Sequence, residues 1–153
     1  MLKTQDEIIK IVREGQANGE TFVVTNGCFD ILHVGHVRYL QKTKEYADKL
    51  IVMLNSDKSV KAIKGETRPI NCEEDRAEIL SSLRCVDYVV LFDENSPAKL
   101  LENIKPDVYT KGADYTLETL PERDIVIKNN IKVEFIEFVE GKSTTKVIEK
   151  ISK

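Results

Sequence analysis

The sequence has few cysteines and no long apolar run. Its three cysteines, Cys28, Cys72 and Cys85, are odd in number and lack CxxC spacing, which argues against a disulfide framework and for a reducing compartment. Residues 1–10 are polar and contain no apolar signal core, and no segment approaches the apolar length that spans a bilayer. These absences predict a cytoplasmic protein with no membrane partner.

An excess of positive charge is also lacking. Lys and Arg number 23 against 26 Asp and Glu, which gives a net charge of -3. A general nucleic-acid binder is usually basic overall, so nucleic acid is not expected as a partner. Any chemistry on phosphate groups must therefore depend on cations that are concentrated locally.

Short apolar runs alternate with amphipathic stretches along the chain, and this pattern indicates βαβ units. The predicted strands are 21–25, 50–54, 86–92, 107–110 and 131–138, and the predicted helices are 4–18, 37–48, 73–83, 97–104, 120–129 and 143–151. We therefore predict an α/β fold: a single Rossmann-like, doubly wound domain over residues 1–153 with a five-stranded parallel sheet. Residues 1–20 form an N-terminal helix that leads into it. In such a sheet, ligands bind at the carboxyl ends of the strands.

The first motif joins the first of these strands to its helix, at residues 25–36 (TNGCFDILHVGH). His33 and His36 are the only two histidines, and their spacing places both imidazoles on one face of the first helical turn. Backbone N–H groups and the helix dipole favour an anion there. Gly35 has no side chain, so a phosphate can approach the backbone. The pattern suits a triphosphate whose charge increases as a bond breaks.

Other interpretations of this motif have less support. A pair of surface histidines would require neither the intervening glycine nor the strand-to-helix position. A zinc site would need Cys28 and a fourth ligand, and no partner pair with zinc-finger spacing occurs. A dinucleotide site would need GxGxxG at the first helix, which is absent.

Residues 27–30 (GCFD) followed by residues 33–36 (HVGH) resemble the HxGH nucleotidyltransferase superfamily, in its cytidylyltransferase-like branch. The resemblance implies a Rossmann-like fold and the transfer of a nucleoside monophosphate to a phosphorylated acceptor. It implies that His33 and His36 stabilise the pentacoordinate phosphorus and the leaving pyrophosphate. It also implies that Gly27, Cys28, Phe29 and Gly35 bind the nucleotide.

A basic segment follows the second predicted strand. Four cations occur within eleven positions, namely Lys58, Lys61, Lys64 and Arg68. Most lysine-rich segments are solvated helix faces, but this one leaves the carboxyl end of a strand. Lys64, which precedes a glycine, is our candidate for a catalytic phosphate-binding lysine in preference to Lys61. A further set of candidates consists of Arg76 for the nucleotide and Asp30, Asn55, Asp57, Lys61 and Arg68 for the acceptor.

Two later segments complete the candidate site. Residues 109–115 (YTKGADY) follow the fourth strand, and the resemblance implies that Lys111, Gly112 and Asp114 contribute to the base and ribose pocket. Ser143, Thr144 and Thr145 precede the last helix. Ser143 is an ordinary N-cap, but hydroxyl groups at a helix N-terminus also bind phosphate.

The implied reaction is in-line attack by an acceptor phosphate oxygen on the α-phosphorus of a nucleoside triphosphate. A phosphate monoester is largely a dianion at neutral pH, with a second pKa of about 6, so no general base is required. Catalysis then consists of positioning and electrostatic stabilisation. His33, His36, Lys64 and a Mg²⁺ carried mainly by the nucleotide phosphates would share this work, and no metal site formed by the protein alone is expected.

The acceptor is inferred from a longer resemblance. The run TNGCFDILHVGH with NSD, KGxxRP, KGADY and STT, from about residue 22 to the C-terminus, is most similar to the adenylyltransferase domain that makes ADP-heptose. ATP and a phosphorylated sugar, heptose 1-phosphate, are the implied substrates, and a homodimer is expected. Glycerol-3-phosphate cytidylyltransferase is the alternative, but its members carry an arginine five positions before the serine of the last motif, where this chain has Phe138. A non-catalytic nucleotide-binding module is the remaining hypothesis.

Overall fold

The computed structural model describes residues 1–137 and 143–152. In chain order its elements are β1 Leu2–Lys3, α1 Gln5–Ala17, β2 Phe22–Gly27, α2 Val34–Lys44, β3 Lys49–Asn55, α3 Asp57–Lys64, α4 Glu73–Ser81, β4 Tyr88–Phe92, α5 Ala98–Ile104, β5 Val108–Gly112, α6 Arg123–Lys128, β6 Lys132–Ile136 and α7 Thr144–Ser152. Phe138 lies outside the described residues.

The sheet of this α/β, Rossmann-like fold is parallel, but the described residues form six strands and the predicted number of five was wrong. The additional strand is β1, which pairs Leu2 with Val89 and Lys3 with Val90 of β4. The amino group of Met1 also donates to the carbonyl of Asp87 at 3.1 Å. Two residues are too few for a periodic pattern, so this edge strand had no recognisable signal in the sequence.

The strand order is β1-β4-β3-β2-β5-β6. From β2 the chain adds β3 and β4 on one side and then returns to add β5 and β6 on the other. The reversal places the carboxyl ends of β2 and β5 beside each other, and this is where an open α/β sheet forms its binding crevice.

Two layers of helices cover the sheet. Strand side chains alternate between its faces, so Val24 lies in one buried cluster and its neighbour Val23 in the other. The first cluster includes apolar residues of α1, α5 and α6, and the second those of α2 and α4. Consequently α2 and α6, which follow β2 and β5, lie on opposite faces and flank the crevice.

The helices differ from the prediction chiefly around α2, α3 and α6: α2 ends at Lys44 rather than at residue 48, and α6 begins at Arg123 rather than at residue 120. Helix α2 begins at Val34 rather than at residue 37, because His33 is its N-cap. Residues 57–64, predicted only as a basic segment, form α3. Ser56 caps α3, its hydroxyl accepting the N–H of Ser59 at 3.2 Å. None of the helices in the described part of the chain is long and apolar enough to cross a membrane.

Candidate active site

A cavity of about 800 Å³ lies at the carboxyl ends of β2 and β5, within the usual range for ligand sites. Most of the predicted site residues line it: Gly27, Cys28, Phe29, Asp30, His33, Gly35, His36, Asn55, Lys64, Arg68, Lys111, Gly112, Asp114, Ser143, Thr144 and Thr145. Three predicted residues, Asp57, Lys61 and Arg76, are not among its lining.

The two histidines cap the helix that carries them. His33 Nδ1 accepts the backbone N–H of Gly35 at 3.0 Å, and His36 Nδ1 accepts the backbone N–H of His33 at 3.4 Å. This reciprocal arrangement is a capping box formed by histidines. In a neutral imidazole whose Nδ1 accepts, the proton resides on Nε2. Each ring is therefore held as the Nε2–H donor tautomer.

The environment of His36 keeps it uncharged. Burial, and secondly the neighbouring His33, lower the pKa of His36 to about 4. Its ring stacks on His33 with centroids 3.9 Å apart and meets the edge of Phe29 at 5.2 Å. At neutral pH His36 thus offers a neutral Nε2–H group that can donate a hydrogen bond, while its Nδ1 accepts the backbone N–H of His33.

Phe29 determines the shape of the loop before α2. Its φ of +45° is uncommon for a residue with a side chain. The ring lies against Gly27, where an added Cβ would come within 2.8 Å of Phe29 Cε2. Glycine at position 27 therefore allows the ring to pack over the end of β2 and to contact His36.

Asp30 holds the segment that carries Arg68. Its carboxylate accepts the backbone N–H groups of Ile70 and Asn71, each at 2.9 Å, and Arg68 Nε at 2.7 Å. Burial alone would raise the pKa of Asp30, but these hydrogen bonds outweigh it and lower the pKa below its ordinary value. Although Asp30 lines the cavity, its carboxylate is fully buried. Its contacts fix the position of Arg68 and make direct binding of an acceptor phosphate unfavourable.

Arg76 is placed differently from the prediction. It is 1% exposed, and Nε and Nη1 donate to the carbonyls of Asn71, Cys28 and Asn55 at 2.7–2.9 Å. Nη2 donates to Asp57 at 2.9 Å. The guanidinium therefore connects the ends of β2 and β3 beneath the cavity. This placement does not support the predicted contacts of Arg76 with the nucleotide and of Asp57 with the acceptor.

Lys64 is the lysine of α3 that reaches the cavity. It is the last residue of α3, and Gly65 follows with a φ of +103°, a conformation that favours glycine. Lys61 is exposed one turn earlier and does not line the cavity. Burial raises the pKa of the Cys28 thiol, and the positive charges of Lys64, Arg76 and Arg68 oppose this increase. Three cations thus act on the loop after β2 in an acidic protein.

A second helix N-terminus faces the same cavity. Thr144 at the start of α7 donates its hydroxyl proton to the carbonyl of Ile31 at 3.1 Å, and Ser143 Oγ accepts the N–H of Lys146 at 3.0 Å. Ser143 is therefore the N-cap that the sequence predicted. The first contact joins α7 to the loop before α2, so that two helix dipoles favour an anion between them.

Several lining residues were not predicted. They include Asn26, Tyr39, Ile63, Asn95, Ser96, Pro97, Tyr115, Pro121 and Glu122. The Lys111 ammonium lies 4.9 Å from the centroid of the Tyr115 ring, and the KGADY run could have suggested this cation–π pair. Residues 95–97 follow β4, so the expectation that ligands bind at the carboxyl ends of the strands could have identified them. Glu122 had no motif to distinguish it.

Comparison with known proteins agrees with this geometry. The sequence profile of the family described as Cytidylyltransferase-like matches residues 24–150. Relatives named Bifunctional protein HldE are 51% identical over 150 residues in Geobacter metallireducens and 53% identical over 148 residues in Wolinella succinogenes. These alignments cover 98% and 97% of this chain but only 31% and 30% of the relatives.

One solved structure has the same fold. A lipopolysaccharide core biosynthesis protein from Thermoplasma volcanium is 32% identical, with a TM-score of 0.64 over 81% of this chain and 100% of that one. The profile match, over residues 24–150, includes every residue that lines the cavity. The chain belongs to the cytidylyltransferase-like family.

Proposed function

We propose that this chain transfers AMP from ATP to heptose 1-phosphate and forms ADP-heptose. An acceptor phosphate oxygen forms a bond to the α-phosphorus of ATP, and the bond from that phosphorus to the β-phosphate oxygen breaks. Pyrophosphate leaves with the bonding electrons. The acceptor phosphate is already ionised at neutral pH, so its attack on the α-phosphorus requires no general base.

The observation that carries the proposal is the pair of Nε2–H histidines at the N-terminus of α2. Their tautomer is fixed by their own capping bonds, and both rings line the cavity. Donors fixed in advance stabilise charge that develops in the transition state more effectively than mobile ones. Lys64, Arg68 and the N-terminus of α7 add positive potential around the same space.

Mg²⁺ fits this site as an ion carried by the nucleotide. Within residues 1–137 and 143–152 there is no group of three His, Cys, Asp or Glu side chains that could hold a metal. Mg²⁺ commonly keeps several waters and binds through substrate phosphates, so this donor set is compatible with it. When bound, the ion would neutralise charge on the polyphosphate.

The heptose acceptor is supported by the relatives. The proteins named HldE align with nearly the whole of this chain, and the solved neighbour is named for lipopolysaccharide core biosynthesis. Phe138, which stands where glycerol-3-phosphate cytidylyltransferases carry an arginine, argues against glycerol 3-phosphate as the acceptor. This residue lies outside the described residues. The proposal therefore depends on the longer resemblance.

The test is a matrix of ATP, CTP, GTP and UTP against heptose 1-phosphate and glycerol 3-phosphate, scored by pyrophosphate release. We expect the highest kcat/KM for ATP with heptose 1-phosphate. Faster turnover of CTP with glycerol 3-phosphate would replace the substrate assignment but leave nucleotidyl transfer intact. No pyrophosphate from any pair would favour a non-catalytic nucleotide-binding module.

We propose that the enzyme acts as a homodimer in the cytoplasm and that residues 1–153 form one domain. Light scattering coupled to size-exclusion chromatography tests the dimer. A single cooperative unfolding transition, coincident for two spectroscopic probes, is expected for one domain.

A further inference from the structure

Glu122 is a buried acid on the wall of the active-site cavity. It is 3% exposed, and among the described residues its Oε2 atom has no hydrogen-bond partner. It precedes α6 as the N-cap residue, yet its side chain makes no capping bond. The fold therefore buries a carboxylate oxygen to which no group of residues 1–137 or 143–152 donates a hydrogen bond.

Such an atom is rare in a folded protein, because burying a polar group without a partner costs stability. Residues that reduce stability in this way are concentrated at functional sites. Glu122 lies between β5 and α6, directly at the reversal of strand order where the crevice forms. Its position suggests that a bound molecule supplies the missing partner.

The Tyr109 hydroxyl interacts with the Glu122 side chain, but among the described residues Oε2 is left without a donor. The Tyr109 hydroxyl donates its single proton to Asn26 Oδ1 at 2.7 Å. Burial, and then the nearby Glu122 carboxylate through its negative charge and a side-chain hydrogen bond, raise the pKa of Tyr109 well above its ordinary value, so this proton is retained. Because Asn26 accepts through Oδ1, its Nδ2 group is directed away from Tyr109. This wall of the cavity thus combines the carboxylate of Glu122 with the amide of Asn26.

Charge determines which part of a substrate fits there. The proposed phosphate site consists of the N-terminus of α2, Lys64 and Arg68, which follow β2 and β3, whereas Glu122 follows β5. The negative charge of Glu122, which acts on Tyr109, would also repel a phosphate. The substrate group next to Glu122 is therefore not a phosphate, and an uncharged group there satisfies Oε2 only if it donates a hydrogen bond.

We propose that Glu122 accepts a hydrogen bond from an uncharged donor of a bound substrate, an amine or a hydroxyl group, and so determines substrate selectivity. The inference rests on the proposed function, since the substrates of nucleotidyl transfer carry such donors on the base, the ribose and the acceptor sugar. A site that accepts a specific hydrogen bond discriminates strongly against analogues that lack the donor.

The first experiment uses the isosteric variant Glu122→Gln in the full chain. Calorimetry measures ATP binding without acceptor, and steady-state kinetics measure KM for the sugar phosphate. We expect the affinity for one substrate to fall roughly ten- to hundredfold, as for a lost hydrogen bond to a charged group, with kcat nearly unchanged. Glu118→Gln is the matched control, because Glu118 is an exposed acid on the same loop and is not among the cavity lining.

Ligands that lack one donor identify the source on the wild-type enzyme, independently of any variant's folding. The arms are purine riboside triphosphate for the base amine, 2′-deoxy-ATP and 3′-deoxy-ATP for the ribose, and deoxy analogues for the acceptor. The analogue that lacks the relevant donor should bind weakly to wild type. It should lose no further affinity in Glu122→Gln, because the two changes remove the same hydrogen bond.

Unchanged affinities and KM values within twofold for both substrates in Glu122→Gln would overturn the inference. The inference would also fail if every analogue lost as much affinity in Glu122→Gln as in wild type. The missing donor of the analogue and Glu122 would then act independently. These outcomes differ from failure of the proposed function, in which wild type would release no pyrophosphate. Thermal unfolding of Glu122→Gln should show no loss of Tm, because the carboxylate stabilises the substrate complex and not the fold.

Discussion

His33 and His36 stack with ring centroids 3.9 Å apart, and each accepts a backbone N–H through Nδ1. The contacts that begin α2 therefore also determine which nitrogen faces the substrate. In each imidazole Nδ1 caps the helix, and the Nε2–H group is available to a phosphate. This relationship leads to predictions for protonation and for catalysis that can be tested separately.

The first prediction concerns the protonation of His36. Its pKa in the folded protein is about 4 against an ordinary value of 6.5, so the unfolded chain binds more protons between these pH values. The free energy of unfolding should thus rise with pH across this window, and stability should be lost as pH falls from about 6.5 to 4. Urea unfolding of wild type and His36→Gln checks this, and wild type should have the steeper dependence.

Nitrogen-15 NMR provides a direct check of the same property. The protein has only two histidines, so His33→Gln assigns the signals of His36. At pH 6 we expect a neutral His36 ring protonated on Nε2. A ring protonated on Nδ1, or one that titrates near 6.5, would contradict the capping arrangement.

The second prediction concerns the role of His36 in the transition state. His36→Ala should lower kcat about a hundredfold, the scale for removal of one fixed electrostatic donor, while KM for ATP changes much less. Gln41→Ala is the control, since Gln41 is exposed on the same helix and does not line the cavity. A normal kcat in His36→Ala would remove the proposed mechanism.

The third prediction separates the lysines of α3. Lys64→Ala should weaken ATP binding roughly tenfold or more, as expected for a lost interaction with a charged group. Lys58→Ala should have little effect, because Lys58 is exposed and does not line the cavity. Calorimetry with ATP measures both. A large loss in Lys61→Ala instead would mean that α3 changes position when ATP binds.

The sequence identified the parts of the site that have motifs. The end of β2, the HxGH segment and the N-cap of α7 all lie where the pattern predicted, since strand-to-helix junctions have local signals. The strand β1 is too short for such a signal. Asp30 contacts Arg68, which is distant in the sequence, and Glu122 is distinguished by an oxygen without a hydrogen-bond partner among the described residues. Local sequence patterns do not reveal either property.

Arg76 illustrates why residue type alone was insufficient. An arginine in a cluster of cations suits a phosphate, and the sequence pattern favoured that role. The structure instead brings Arg76 to three carbonyl oxygens and Asp57. A buried guanidinium requires several acceptors, and two of them, the carbonyls of Cys28 and Asn55, come from segments distant in the sequence.

The last prediction distinguishes these two roles of Arg76. Arg76→Met removes a fully buried guanidinium and leaves the carbonyls of Cys28, Asn55 and Asn71 and the carboxylate of Asp57 without their donor. Leaving a buried acceptor without its donor costs about 1 to 3 kcal/mol, and the Asp57 side chain is 34% exposed, so the three carbonyls should dominate the loss of stability seen by urea unfolding. Arg84→Met, at an exposed position after α4, should be nearly neutral.

Arg76→Lys makes the comparison decisive. Lysine keeps the charge but cannot donate to all four oxygens at once, since an ammonium has three donors and no planar fork. If Arg76 holds the ends of β2 and β3 together, Arg76→Lys should lose stability, and its affinity for ATP should change only as the loop after β2 shifts. Undiminished stability together with a large loss of ATP affinity would restore Arg76 as a direct phosphate ligand.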